Sequence, residues 1–442
     1  MNNEYQQLKE YLKKAKLGSF LLVPLKYNGD CFSAEWLNKN TCRIPFTTSD
    51  INESVKQTIN AENTANVVNH YKLDINILSK RIYGKLSDDI STLSFWVSDN
   101  DTKDKTADNL VEISDLDIYI FHTQVAFLSV GIKYNNMNVL NTICNLGYAK
   151  RISSYYFENE DKNICSFDLE KELKDICHMA GLQVFLESEC SILLDSYIFT
   201  LAMIEKRFKN LETIRQATFN LHLMQNLENP VEDESEEDIN YVYAVKAQSL
   251  GSYRWGCCVT SQTMSYIVAD SEMNFEAEMA EQLESNITVI LLALYQKYTC
   301  LRFRELLAIT DKKKINRLRI LKRQMLEFKA YGTITPANLS RWHNVKQIYK
   351  HIIETNEINQ AVDNIGTTLE ILAEHQKELE NDKSSKIMGL ITLFGVVSIP
   401  ASVLSIIDYL SGGNLVSVYA AIVTILAMAV IIMIMLIYNR NE

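Results

Sequence analysis

The chain has 442 residues, and its 44 lysine and arginine residues against 55 aspartate and glutamate residues give a formal charge of −11. This acidic balance argues against nucleic acid as a direct partner, because binding to a polyanion is driven by lysine and arginine releasing counterions. The sequence contains no glycine-rich phosphate loop, HExxH, GxSxG or dinucleotide motif, so we expect no enzyme activity.

Residues 1–272 predict a mixed α/β or α+β domain. Helices are predicted over 136–148, 169–186 and 194–226, where apolar residues recur at helical spacing. The first residues lack the apolar core of a signal peptide, so we expect this domain to be cytoplasmic. Stretches rich in β-branched and aromatic residues predict strands between the helices: LGSFLLVPLKY, LSFWVSD, DIYIFHTQVAFLSVGIKY, NYVYAVKAQ and WGCCVTSQTMSYIVAD.

One short patch in this domain combines aromatic and basic residues, namely Tyr253, Arg254 and Trp255. Such a patch can stack on a nucleotide base and pair with its phosphate. The alternative is that these are ordinary strand residues.

Residues 273–386 predict long stalk helices. The first stretch covers 274–331 and ends before Gly332, a residue type that commonly follows a helix. A second helix begins at Thr335-Pro336, which suits a helix start, and then keeps nearly heptad apolar spacing. We expect it to run on to Leu410, with a break near Gly366 as the alternative.

Residues 387–442 predict two transmembrane helices, Ile387–Leu410 and Leu415–Tyr438, since about 20 apolar residues are enough to span a bilayer. Lysines precede the first span and Arg440 follows the second, whereas the loop 411–414 has no lysine or arginine. Positive residues stay on the inner side, so both termini are expected to be cytoplasmic, with the protein in the inner (plasma) membrane and the lipid bilayer as partner. The alternative is a helical hairpin buried in a soluble core.

The first predicted span carries a stripe of small and polar residues, including Thr392, Gly395 and Ser402. Such a stripe lines a pore if several copies surround it. The alternative is that small residues mediate helix packing, which they commonly do in membranes.

This layout resembles the CorA-type metal-ion transporter family. The cytoplasmic α/β domain, the long helix entering the membrane, the short outer loop, and Pro400 followed by Ser402 carry the resemblance. It implies a homopentameric funnel with these pore-lining residues on the first span: Met388, Ile391, Thr392, Gly395, Ile399, Ser402 and Ile406. The pore entrance would then comprise Asp408, Gly412, Gly413 and Asn414.

The outer loop departs from the family pattern. Members carry Gly-Met-Asn there, which holds a hydrated magnesium ion, whereas this chain has Gly412-Gly413-Asn414 without the usual acidic followers. Mg²⁺ or another divalent cation therefore remains a possible cofactor with no assigned ligands.

Three functions follow as expectations. The enlarged soluble region is similar to the divergent CorA-like proteins found beside type III CRISPR systems, which implies a channel in antiviral defence, opened by a nucleotide second messenger. The alternatives are a housekeeping transporter of magnesium or another divalent cation, and a membrane-anchored scaffold that conducts nothing.

Overall fold

The computed structural model describes residues 10, 12, 14–28, 34–46, 48–60, 67–84, 92–98, 105–149, 155–185, 192–193, 195–205, 207, 209–224, 242–247, 252–269, 274–309 and 315–411. The chain divides into two units. Unit 1 comprises residues 1–311 and 323–366, and unit 2 comprises residues 312–322 and 367–442.

The described strands form one sheet of thirteen members. Their bounds are β1 Lys16–Tyr27, β2 Thr41–Ile44, β3 Val68–Leu73, β4 Leu93–Val97, β5 Leu110–Phe121, β6 Val125–Tyr134, β7 Tyr155–Glu158, β8 Ile164–Phe167, β9 Leu182–Val184, β10 Tyr197–Ile204, β11 Val242–Ala247, β12 Ser252–Val259 and β13 Thr263–Ala269.

The described helices are α1 Ala34–Asn40, α2 Glu53–Ile59, α3 Ile75–Tyr83, α4 Met137–Ala149, α5 Leu169–Met179, α6 Leu211–His222, α7 Phe275–Gln282, α8 Thr288–Ile309, α9 Ile315–Glu327, α10 Pro336–Leu339, α11 His343–Thr355 and α12 Ile358–Ser411. Two π-helical segments, Leu283–Ile287 and Phe328–Gly332, follow α7 and α9.

The sheet runs in the order β11-β12-β13-β10-β1-β6-β5-β4-β7-β8, with β3 beside β5, β2 beside β3, and β9 beside β1. Of the described pairings, β10 with β13 is parallel and the others are antiparallel. One face of the central strands packs into an apolar core with α3, α4, α5 and α6. The long strands β1, β5 and β6 are rich in leucine, isoleucine, valine and phenylalanine, which suits a sheet covered on both faces.

The predicted helix over 194–226 is wrong in its first part. Residues Tyr197–Ile204 form β10, a fully buried strand between β1 and β13. Its sequence, YIFTLAMI, contains aromatic and β-branched residues that suit a central strand. An apolar run of this length fits a buried strand or a buried helix equally, so periodicity alone could not decide.

The predicted helix from 336 to 410 is interrupted. It consists of the short helix α10, then α11, then α12. The break before α12 lies at Glu357, whose φ of 50° is in the left-handed region, and not at Gly366. The end of the preceding helical stretch at Gly332 agrees with the prediction.

The expected pair of C-terminal transmembrane helices is corrected by the structure. Within the described ranges, no helix combines the length and the apolar character that a membrane crossing requires. The run 387–410 forms the end of α12, a helix of 54 residues that carries charged residues in its first half. A count of apolar residues indicates how strongly a segment favours burial. It determines neither where the helix ends nor what surrounds it. The second predicted span, 415–438, lies outside the described residues.

This finding also overturns the expected pentameric membrane funnel as a fold class, the classification as a membrane transport protein, and the inner-membrane location. In unit 2, the described part of α12 carries an exposed ion pair within one helical turn, Lys386 with Asp382 at 2.8 Å. Such exposed pairs contribute a few tenths of a kcal/mol each, about 0.3–0.5.

Candidate functional site

A cavity of about 550 Å³ opens on the face of the sheet opposite the apolar core, within unit 1. Its floor is formed by β3, β5 and β6, one wall by residues 44–46 at the end of β2, and its roof by α7, the first π-helical segment and the start of α8. This volume lies within the range of about 300–1,000 Å³ that is usual for small-molecule sites.

The polar floor results from strand register. On β5, Ile113 and Leu116 both point into the core although they are three residues apart, because a β-bulge lies between Ile113 and Asp115. Residues of one strand normally alternate between faces, and the bulge shifts that alternation by one. Asp115, Asp117 and Tyr119 therefore share the cavity face.

The neighbouring strand β3 supplies the matching residues. His70 lies directly opposite Tyr119, and Lys72 lies opposite Asp117. Side chains that are directly opposite on an antiparallel pair have Cβ atoms about 4.5–5.5 Å apart. These four side chains therefore form a compact polar and aromatic group.

Asp117 and His70 are joined at the base of the cavity. Asp117 Oδ1 lies 2.9 Å from His70 Nε2, and both side chains are buried. The His70 ring stacks on Tyr119 with centroids 4.2 Å apart, and Phe46 meets Tyr119 edge to face at 5.7 Å. Burial, followed by the charges of Asp117 and Asp115, raises the pKa of Tyr119 well above its ordinary value, so its phenol stays neutral.

The second oxygen of Asp117 has no hydrogen-bond partner in the described part of the chain, although the residue is 0% exposed. Ser129 lies directly across from it on β6, and the Ser129 hydroxyl also lacks a described partner. Buried polar atoms are nearly always hydrogen bonded in folded proteins. Asp117 lines the cavity whereas Ser129 does not, so the Asp117 oxygen is the candidate acceptor for a bound molecule.

Two ion pairs also line the cavity. Lys72 Nζ lies 3.0 Å from Asp115 Oδ1, and Lys133 pairs with Glu276 on α7. Burial alone would lower the pKa of Lys72, but the adjacent Asp115 carboxylate outweighs it and raises that pKa. Gly131 lies opposite Asp115 on β6, and a Cβ there would come within 3.0 Å of the Asp115 side chain. The absence of a side chain at Gly131 therefore leaves space for the side chain of Asp115, which lines the cavity.

The roof is irregular at the cavity. The π-helical segment Leu283–Ile287 joins α7 to α8, and it places Glu284 over the cavity. Single π-helical turns inside helices occur often at functional sites. Ser285 in the same segment donates a hydrogen bond to Asp50 at 2.6 Å, which ties the roof to the loop that follows the β2 wall.

The chemistry of this arrangement favours binding. Within the described chain, His70 is hydrogen bonded to Asp117 and stacked on Tyr119, and no serine, threonine or cysteine side chain is hydrogen bonded to it. No group of three or more histidine, cysteine or acidic residues that could hold a metal ion occurs in the described ranges. The possible Mg²⁺ cofactor therefore finds no described site.

The residues predicted to line a pore lie elsewhere, on α12 in unit 2. Met388, Ile391 and Thr392 are exposed, as are Ser402 and Ile406. The Thr392 hydroxyl donates to the Met388 carbonyl at 2.8 Å, one turn back on its own helix. The remaining predicted positions are Gly395, which is half-buried, Ile399 and Asp408, of which only the helical backbone is described, and Gly412, Gly413 and Asn414, which lie outside the described residues.

The aromatic and basic patch lies on β12, and of its three side chains only that of Trp255 is described. Trp255 stacks on Tyr266 of β13 with ring centroids 5.6 Å apart, so Tyr266 already covers one face of the Trp255 ring. In the sheet order, β13, β10, β1 and β6 separate β12 from β5.

Sequence reasoning missed the cavity residues, although one signal was present. Aspartate is depleted in strands, yet Asp115 and Asp117 occur inside the strand-like stretch SDLDIYIF. Two carboxylates on an apolar strand would have indicated a polar face.

Comparison with protein-family models gives no match, and comparison with curated proteins gives none either. The resemblance to CorA-type proteins therefore stays a prediction.

Proposed function

We propose that unit 1 is a regulatory domain that binds a small molecule in the cavity over β3, β5 and β6. The observation that carries this proposal is the buried Asp117 oxygen that lacks a partner, at the base of an open cavity. Leaving a buried acceptor unsatisfied costs about 1–3 kcal/mol. A ligand that donates to it recovers that energy only when bound.

The roof of the cavity connects to the start of α12. The helical segment 275–309 continues past the cavity, and Gln296 on α8 donates to the Tyr349 hydroxyl on α11 at 2.6 Å. One residue further, Lys297 donates to Asn356 at 2.8 Å, two positions before α12 begins. The distance along the helix from Thr288 at the cavity to Lys297 is about 14 Å at 1.5 Å per residue. Movement of the roof is thereby transmitted to the junction of α11 and α12.

A ligand shifts such a junction only by the difference between its affinities for the two states. Glu284 and Met279 line the cavity from the roof, so closure of the roof onto a ligand would bring both side chains into contact with it and would supply that difference. The proposed output is a changed position of the first residues of α12, 358–366, relative to α11, both within unit 1.

The test uses a cavity-filling variant. Ala280 on α7 is exposed and lines the cavity, so Ala280→Phe fills the cavity without disturbing the core. Ala277, one turn away, is also exposed but does not line it, and Ala277→Phe is the matched control. The full-length protein is screened by thermal shift against amino acids, amines, nucleosides, mononucleotides and cyclic dinucleotides.

We expect at least one compound class to raise the melting temperature of the wild type and of Ala277→Phe, but not of Ala280→Phe. Hydrogen exchange over residues 343–366 should slow when that compound binds. A compound that stabilises all three proteins equally would place binding outside the cavity, and a screen without any response would contradict the proposal.

The homopentameric assembly, the absence of catalysis and the nucleotide second messenger stay predictions from the sequence. The cyclic dinucleotides in the screen test the messenger directly.

A further inference from the structure

We propose that the cavity binds a small organic cation that carries at least two amine or guanidinium groups. This inference rests on the proposed function, because it names the ligand class of the same cavity. It is carried by the charges that face the cavity and by the chemistry of its base.

The charged groups around the cavity do not balance. Lys72 and Lys133 are each paired with a carboxylate. With two lysines and four carboxylates the sum is 2 − 4 = −2, or −1 if His70 is protonated. The groups that face the cavity are Lys72, Lys133, His70, Asp115, Asp117, Glu276 and Glu284.

The excess negative charge lies at two places. Asp117 on the floor shares only one oxygen with His70. Glu284 on the roof is exposed and has no ion pair with any described residue. A molecule with a positive group at each end can neutralise both carboxylates at once, and it would pull the roof towards the floor.

The bottom of the cavity around Asp117 also suits one positively charged group of such a molecule. The free Asp117 oxygen is an acceptor only, so it needs an N–H or O–H donor. Phe46 and Tyr119 line the same cavity, and aromatic rings attract ammonium and guanidinium groups. A bound water would satisfy one oxygen but would leave the charge uncompensated.

The same charges disfavour a nucleotide polyphosphate. Its phosphates would have to displace Asp115 from Lys72 and Glu276 from Lys133, and they would then face the freed carboxylates. Like charges within a partly buried site repel strongly.

The experiment is isothermal titration of the full-length protein at about 0.15 M salt, where weak surface attraction is screened. The probes are 1,4-diaminobutane and agmatine as cations, 1,4-butanediol as a neutral compound of similar length, and adenosine monophosphate as an anion. The variants are Asp117→Asn, Glu284→Gln and Ala280→Phe.

We expect a cationic probe to bind at least tenfold more tightly than butanediol or adenosine monophosphate. Asp117→Asn should weaken its binding at least tenfold, Glu284→Gln several-fold, and Ala280→Phe should abolish it. Glu284 is exposed, so its variant folds even if Asp117→Asn does not, and circular dichroism checks both.

Two outcomes overturn the inference. If neither cation binds, or if cation binding is unchanged in Asp117→Asn and Glu284→Gln, the ligand class is wrong. If butanediol or adenosine monophosphate binds instead and Ala280→Phe blocks it, the cavity remains a ligand site and only the cation class fails. The wider screen above then decides the proposed function separately.

Discussion

Arg302 on α8 is the buried cation that fixes this helix to the sheet. Its side chain is 5% exposed. It donates to Glu305 at 2.7 Å, to Asn28 at 2.7 Å, to Gln124 at 3.0 Å and to the carbonyl of Tyr27 at 3.2 Å. The roof of the cavity belongs to the same continuous helical segment, so its position depends on this cluster.

Replacing Arg302 with methionine should lower the free energy of unfolding by about 3 kcal/mol. Removing one partner of a buried ion pair costs about 3–5 kcal/mol. Glu305 is 35% exposed, so water recovers part of the loss, and methionine preserves the packing of the aliphatic stem. Both effects place the expected loss of unfolding free energy at the lower end of the range of about 3–5 kcal/mol. Urea denaturation of the full-length protein measures it.

Two variants separate the charge from the geometry. Arg302→Lys keeps the charge but loses the planar fork of donors, so its loss should be intermediate. Glu305→Gln should cost less than Arg302→Met, because position 305 is 35% exposed and glutamine still accepts a hydrogen bond from Arg302. A loss below about 1 kcal/mol for Arg302→Met, or a stability of Arg302→Lys equal to that of the wild type, would refute this reasoning.

Three further predictions concern unit 1. Gly332→Ala should lower stability by about 1–3 kcal/mol, the usual cost of overpacking, since its Cβ would lie 2.6 Å from Phe328 and would also meet the Tyr295 hydroxyl. Glu357→Gly should raise stability by about 0.5–1 kcal/mol. Glycine removes the cost of the left-handed backbone, about 1–2 kcal/mol for other residues, but it loses about 0.5–1 kcal/mol more conformational entropy on folding. Burial lowers the pKa of His122, offset in part by a backbone carbonyl, so stability should rise with pH between that lowered value and about 6.5, where the unfolded chain binds more protons.

Denaturant titrations check all three predictions. For Gly332, the comparison is Gly389→Ala on α12, where a Cβ meets nothing within 4 Å; that variant should be neutral or gain up to about 1 kcal/mol. For Glu357, alanine keeps the backbone cost, so Glu357→Ala should gain nothing. For His122, His122→Gln should flatten the pH dependence between about pH 5 and 7, and an unchanged slope would assign it to other groups.

The sequence predicted the parts of the fold that local patterns determine. The strands at LGSFLLVPLKY and at the two halves of DIYIFHTQVAFLSVGIKY are present as β1, β5 and β6, and the helical stretch before Gly332 ends as expected. β10 was missed because its eight buried residues, all apolar except Thr200, carry no period that separates strand from helix. The helix break at Glu357 was missed because glutamate gives no turn signal.

The cavity could not be predicted in the same way. Its floor depends on which strands pair and in which register, and β3, β5 and β6 acquire their alignment only in the assembled sheet. The bulge after Ile113 reverses the alternation of β5, so a strict period of two read from the sequence places Asp115 and Asp117 on the core side. The roof comes from residues more than 140 positions further along the chain.

Several departures from ordinary structure meet at this one cavity. An aspartate lies inside a central strand, a bulge interrupts that strand, a π-helical turn interrupts the roof, and a buried carboxylate oxygen lacks a partner. An apolar side chain at position 117 would remove the unsatisfied acceptor but would also leave the buried His70 without its partner at 2.9 Å, and a buried polar group is costly unless it is bonded. Sequences normally break several local rules together only where function requires it. The concentration of these features over β5, and not on the exposed end of α12, is why we assign the function of the chain to this cavity.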